Sequence, residues 1–146
     1  MARMDLLRRE EESWSGFMSQ VSRVGPDRLD KDGVVEGWSV KDLVWHCAYW
    51  ARFCAEVLES LGSADFTDPF EGHDDAYWDG VNEQVAQASK SMTWEQVVGE
   101  APAIRERVRA AFSSASEGGK PDEWFAEETF EHYDEHTEQV RRFADG

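Results

Sequence analysis

Apolar residues recur along this chain at three- and four-residue spacing, interrupted by glycine, proline and clustered polar residues, so the pattern predicts helices joined by loops and no strand. Leu7, Trp14, Phe17, Met18, Val21 and Val24 form one stripe of a first helix over about 5–24, stopped by Gly25-Pro26. Arg8, Arg9, Glu11 and Glu12 fall on its other face. Residues 25–37 have no sustained period and read as loop. Ser39 can then cap a second helix while Asp42 reaches back to the free amide, and Trp38 can staple onto Leu43. Leu43, Cys47, Trp50, Cys54, Val57, Leu58 and Leu61 carry this helix to about 61, with Gly62 as a left-handed C-cap.

After a loop over 63–73, a shorter helix is expected over 74–89, with Tyr77, Trp78, Val81 and Val85 facing inward. Thr93 and Gln96 repeat the capping-box spacing and open a fourth helix to about 112, which Gly99 and Pro102 should kink. A Gly- and Ser-rich loop over 113–120 leads to a last helix, opened by Pro121 or Asp122 and running to about 143. Together these elements predict an all-α fold, an antiparallel four-helix bundle with the short 74–89 helix beside it.

At 146 residues the chain has the length of one domain, and 1–146 is read as a single bundle. Thirty-one acidic residues against fifteen basic ones give a net charge of −16, which repels phosphate backbones and anionic lipid surfaces. Nucleic acid and membrane are therefore not expected partners. With no apolar run of about 18 residues and a charged amphipathic start, a soluble cytoplasmic protein is expected. Cys47 and Cys54 would lie two turns apart on one helix, roughly 10 Å, too far to bridge. Both read as small core residues.

Chemistry enters with the histidines. On the last predicted helix Phe125, Thr129, His132, His136, Val140 and Phe143 share one apolar stripe, and His132 and His136, four apart, stack on one face. His46 lies at the edge of the apolar arc of the second helix and also points inward. Three buried imidazoles would each need a polar partner, and one divalent metal ion satisfies all three at once. The alternative is three separately hydrogen-bonded core histidines. Asp42, Glu128 or Glu135 could add a fourth ligand. The zincin pattern is absent, since Tyr133 stands where that motif has its glutamate. His73, in a loop, reads as surface. Trp50, one turn after His46, reads as core or pocket wall, and Asn82 and Glu83 on the short helix are the remaining substrate-binding candidates.

The segment from Gly37-Trp38-Ser39-Val40-Lys41-Asp42-Leu43 to His46, with His132-Tyr133-Asp134-Glu135-His136, resembles the two hallmark motifs of the DinB-like superfamily. That superfamily includes the N-terminal domain of mycothiol-dependent maleylpyruvate isomerase and the bacillithiol transferases. The resemblance implies a bundle with two long crossings, a triad of His46, His132 and His136 holding zinc or nickel, and a homodimer as a frequent assembly. The acidic loop from Gly62 to His73 is longer than a minimal member needs. The isomerase reaction is not carried over, because the resemblance is to one domain of that enzyme.

The function that follows is a metal-dependent S-transferase that adds a low-molecular-weight thiol to an electrophilic small molecule. Two alternatives stand beside it: a metal-dependent hydrolase or self-resistance and detoxification protein of the same fold, and a non-catalytic metal-binding module. A catalytic site keeps an open coordination position, whereas a structural one closes with four protein ligands.

Overall fold

The helices that begin at Val40, Asp75 and Trp94 each start where a side chain accepts from a free backbone amide. In a computed structural model describing residues 2–146, six α-helices follow in order: α1 (Arg3–Val21), α2 (Val40–Ser60), α3 (Asp75–Lys90), α4 (Trp94–Ser114), α5 (Gly119–Glu128) and α6 (Phe130–Asp145). No strand occurs among the described residues, only an isolated bridge between Val35 and Trp38. At the start of α2 the Ser39 Oγ accepts from the Asp42 amide at 3.1 Å, while the Asp42 carboxylate accepts from the Ser39 amide at 2.9 Å. Asp42 also accepts from Ser89 and Lys90, joining α2 to the end of α3. Burial alone would raise its pKa, but these hydrogen bonds hold it below the usual value. Asp42 is thus committed to the cap. Ser39→Ala should lower stability by about 1 kcal/mol without abolishing metal binding at saturation, read by thermal melts with and without added zinc. An unchanged melting curve would mean that the cap does not set the start of the helix.

The four long helices run in two directions. Arg9 pairs with Asp134 at 4.0 Å and Arg23 with Asp145, so α1 and α6 are parallel. Lys41 donates to the Met92 carbonyl at 2.6 Å and Arg107 meets Glu59 at 2.6 Å, so α2 and α4 are parallel too. Arg3 donates to the carbonyl of Ser113 and Arg109 to that of Leu7, both at 2.7 Å, which sets α1 against α4. The chain therefore goes up, down, down, up, and the bundle is antiparallel between its two pairs. Two long crossings follow, one through α3 and one through α5. Phe17, Val40, Leu43, Val97, Val108, Phe112, Phe125 and Val140 fill the core between them. Among the described residues no helix is long and apolar enough to cross a membrane.

Several expected details differ. The first helix ends at Val21, and Val24 is buried from the following turn. Gly62 is not left-handed, because α2 unwinds through right-handed turns, with the Ser63 amide donating to the Ser60 carbonyl at 2.9 Å. Tyr77 does not face inward; it is 46% exposed and stacks on His73 at 3.8 Å. α4, by contrast, runs as one helix through Gly99 and Pro102 as expected, both on its exposed face, where water can satisfy the carbonyl that proline leaves free. Gly118 and Gly119, at φ 81° and 64°, let the chain turn into α5 earlier than expected.

The largest difference is that the last helix is two. Thr129, at φ −118° and ψ −95°, interrupts it, and its hydroxyl donates to the Phe125 carbonyl, which also accepts the Thr129 amide. A threonine that bonds back to the preceding turn competes with the regular helical ladder. His136 and Val140 stay buried beyond the interruption, and Tyr133, at the edge of their stripe, is fully buried with them.

Candidate metal centre and its cavity

α2 and α6 cross antiparallel where His46 meets His132 and His136. A nitrogen of each ring lies within 4.8 Å of those of the other two, and no other group of histidine, cysteine or carboxylate side chains converges in this way among the described residues. His46 is 4% exposed and His136 8%, while His132 is half-buried. The Nε2 atoms of His46 and His132 are 2.8 Å apart, so one ring donates to the other. Their Nδ1 atoms are buried with no hydrogen-bond partner. Burial, reinforced by the neighbouring rings, pushes His46 down to about 2 and His132 down to about 3, and burial lowers His136 as well. All three are neutral at pH 7, the form that donates a lone pair to a metal.

Gln139, one turn after His136, fixes the third ligand. Its side-chain oxygen lies 2.6 Å from the His136 Nδ1, so that nitrogen carries the proton and Nε2 keeps its lone pair for an ion. Two orphaned buried nitrogens, three neutral rings and one enforced tautomer fit a divalent cation, and the triad could hold one. The donors are all imidazole, which suits zinc and nickel. None of the suggested fourth ligands joins them. Asp42 is engaged in the cap, Glu135 is exposed, and Glu128 lies in the wall of the adjoining cavity.

That cavity, about 510 Å³, opens beside the histidines. Trp38, Trp50, Phe70 and Trp78 form its aromatic side, and Glu127, Glu128 and Glu135 its acidic side. Trp38 packs on the His46 ring at 4.9 Å, and Trp50 donates from its indole nitrogen to the Asn82 side-chain oxygen at 2.8 Å. Trp50 and Asn82 both line the cavity. Glu83 lies outside it, exposed and accepting from Gln87. His73 is exposed on the surface, against Tyr77. The acidic loop after α2 reaches the cavity through Phe70, which packs on Trp78 and Trp124. Gln139, Phe70 and the grouping of the glutamates were missed in the sequence. Only Gln139 left a trace there, three residues after a candidate ligand.

Cys47 and Cys54 are free and buried on α2, and burial raises both thiols, so neither is poised as a nucleophile. Glu128 behaves differently. Burial, with the Glu127 charge beside it, pushes its carboxyl up to about 8 from an ordinary 4.5. A raised folded-state value means stability is fully present below about pH 4.5 and is lost as pH rises through 8. Glu128→Gln should flatten this slope and make the protein more stable by on the order of 2 kcal/mol near pH 8.5, seen in urea unfolding at several pH values. Identical slopes in both proteins would exclude a buried, unpaired carboxyl.

A bundle carrying three inward histidines beside an aromatic cavity defines a class of helical protein equipped to bind a metal. Residues 10–142 match the mycothiol maleylpyruvate isomerase N-terminal domain family, and the chain belongs to that family, within the DinB-like superfamily. No curated protein sequence matches it. In structure it is similar to an uncharacterised protein from Escherichia coli UTI89, with a TM-score of 0.81, 16% identity, and alignment over 99% of this chain and 93% of the other. At that identity the likeness speaks for the fold alone.

Proposed function

We propose that this protein is a metal-dependent thiol S-transferase, joining the sulfur of a low-molecular-weight thiol to an electrophilic small molecule. The observation that carries this reading is the incomplete coordination of the triad: three imidazoles converge without a fourth protein ligand, beside a cavity large enough for a small molecule. A zinc or nickel ion held there supplies a Lewis acid that makes a thiol easier to deprotonate. His46, His132 and His136 present neutral lone pairs, and Gln139 keeps the proton of His136 on Nδ1. Trp38 covers His46 and, with Trp50 and Trp78, keeps water from the reacting sulfur. The Asn82 amide, fixed by Trp50, offers its N–H donors to a polar atom of the ligand. A sulfur–carbon bond forms, the thiol proton passes to solvent, and the leaving group departs with its electron pair.

The test titrates cobalt-substituted protein with mycothiol, bacillithiol, glutathione and small thiols, and then supplies a chromogenic haloarene as the electrophile. A sulfur-to-cobalt charge-transfer band with at least one thiol, and chloride release dependent on that thiol, are expected. If no thiol perturbs the cobalt spectrum while activated esters or amides are hydrolysed, the protein is a hydrolase. If neither occurs, it is a metal-binding module.

A further inference from the structure

Glu127, Glu128 and Glu135 face the same cavity from the end of α5 and the middle of α6, and none of them makes an ion pair or accepts a hydrogen bond among the described residues. The arginines that pair do so elsewhere: Arg23 with Asp145, Arg105 and Arg109 with Glu10, Arg107 with Glu59, Arg141 with Glu138. No lysine or arginine lines the cavity. The same cavity is lined by the rings of Trp38, Trp50, Phe70 and Trp78, and aromatic faces carry partial negative charge. The remaining wall includes His46, His132 and His136, so a molecule in this cavity lies directly against the triad.

We propose that the small molecule entering this cavity is an organic cation, a protonated or quaternary amine carried on an apolar body. The apolar body lies on the tryptophans and the positive group meets the unpaired glutamates. At pH 8 Glu127 and Glu135 are charged and Glu128 is about half-ionised; a divalent ion on the triad offsets two of these charges and a thiolate beside it adds one back, so the loaded site still favours a cation over a neutral or anionic substrate. A carboxylate-bearing substrate would face like charges at this wall, which disfavours an acid. A cation beside Glu128 also relieves the cost of ionising a buried carboxyl that nothing in the protein pairs. This inference rests on the reading of the cavity as the substrate site, but not on the thiol chemistry.

The experiment measures binding of benzyltrimethylammonium, benzyl alcohol and phenylacetate at pH 8, by tryptophan fluorescence and calorimetry, to zinc-loaded and chelator-treated full-length protein. In both forms the cation is expected to bind about ten-fold more tightly than the alcohol. In the chelator-treated form phenylacetate should bind most weakly. A variant combining Glu127→Gln, Glu128→Gln and Glu135→Gln should lose that ten-fold preference while still binding the alcohol, and a double variant that leaves Glu135 intact should lose part of it. Circular dichroism melts check that both variants fold. The proposal is overturned if the cation binds no better than the alcohol, or if its advantage survives in the triple variant. The cobalt titration is independent of these outcomes, so a thiol transferase with no charge preference is distinguished from a protein with no thiol chemistry.

Discussion

Alanine at His46, His132 or His136 is expected to remove nearly all tightly bound metal, whereas alanine at His73 leaves about one divalent ion per chain, as in the wild type. With two imidazoles left, the site loses a third of its donors and the geometry that selects a borderline ion. His73 serves as the control because it is exposed and stacked on Tyr77, away from the triad. Elemental analysis of the five purified proteins reads the result directly. Equal metal content in all five would mean that the three rings are hydrogen-bonded core residues, and the orphaned Nδ1 atoms of His46 and His132 would then need water as their partner.

The second large effect lies away from the triad, where α1 meets α4 and α6. Glu10 is fully buried, and its carboxylate accepts two hydrogen bonds from Arg105, at 2.7 and 2.8 Å, one from Arg109 at 2.8 Å and one from the Tyr133 hydroxyl at 3.1 Å. One side chain of α1 thus ties α4 to α6. Glu10→Ala takes this acceptor from two guanidinium groups and a buried phenol and should cost about 3–5 kcal/mol in urea unfolding. Glu11, exposed and touching only Arg105, should cost less than about 1 kcal/mol when replaced by alanine. Comparable losses in the two variants would show that the buried cluster contributes no more than a surface pair.

The sequence made the frame and the ligands legible for a physical reason. Caps and helical stripes are local, and Ser39 with Asp42, Thr93 with Gln96, and the inward phase of His46 and His136 all depend on neighbours within a few residues. The Thr129 interruption was not legible, because a threonine inside an apolar stripe reads as a continued helix until its hydroxyl is seen to bond backward. Nothing in the sequence sets Glu10 apart from the chain's other acidic residues; its burial depends on Arg105 and Arg109, which lie about a hundred residues away. The acidic side of the cavity was hidden for a similar reason. In a chain of net charge −16, three further glutamates stand out only when they are seen to share one wall without partners.

Phe70 belongs to none of the four long helices, yet it supplies part of the cavity wall from the segment joining α2 to α3. The parts that hold an ion and the parts that shape its neighbour are therefore separable. A surface connection can be lengthened at a closure penalty that grows only slowly with length, so long as the contacts of Phe66 and Phe70 with Trp124 are kept. Redrawing this one connection would change which molecules fit while His46, His132 and His136 stay in place, making it the natural place to graft a new acceptor preference onto an unchanged scaffold.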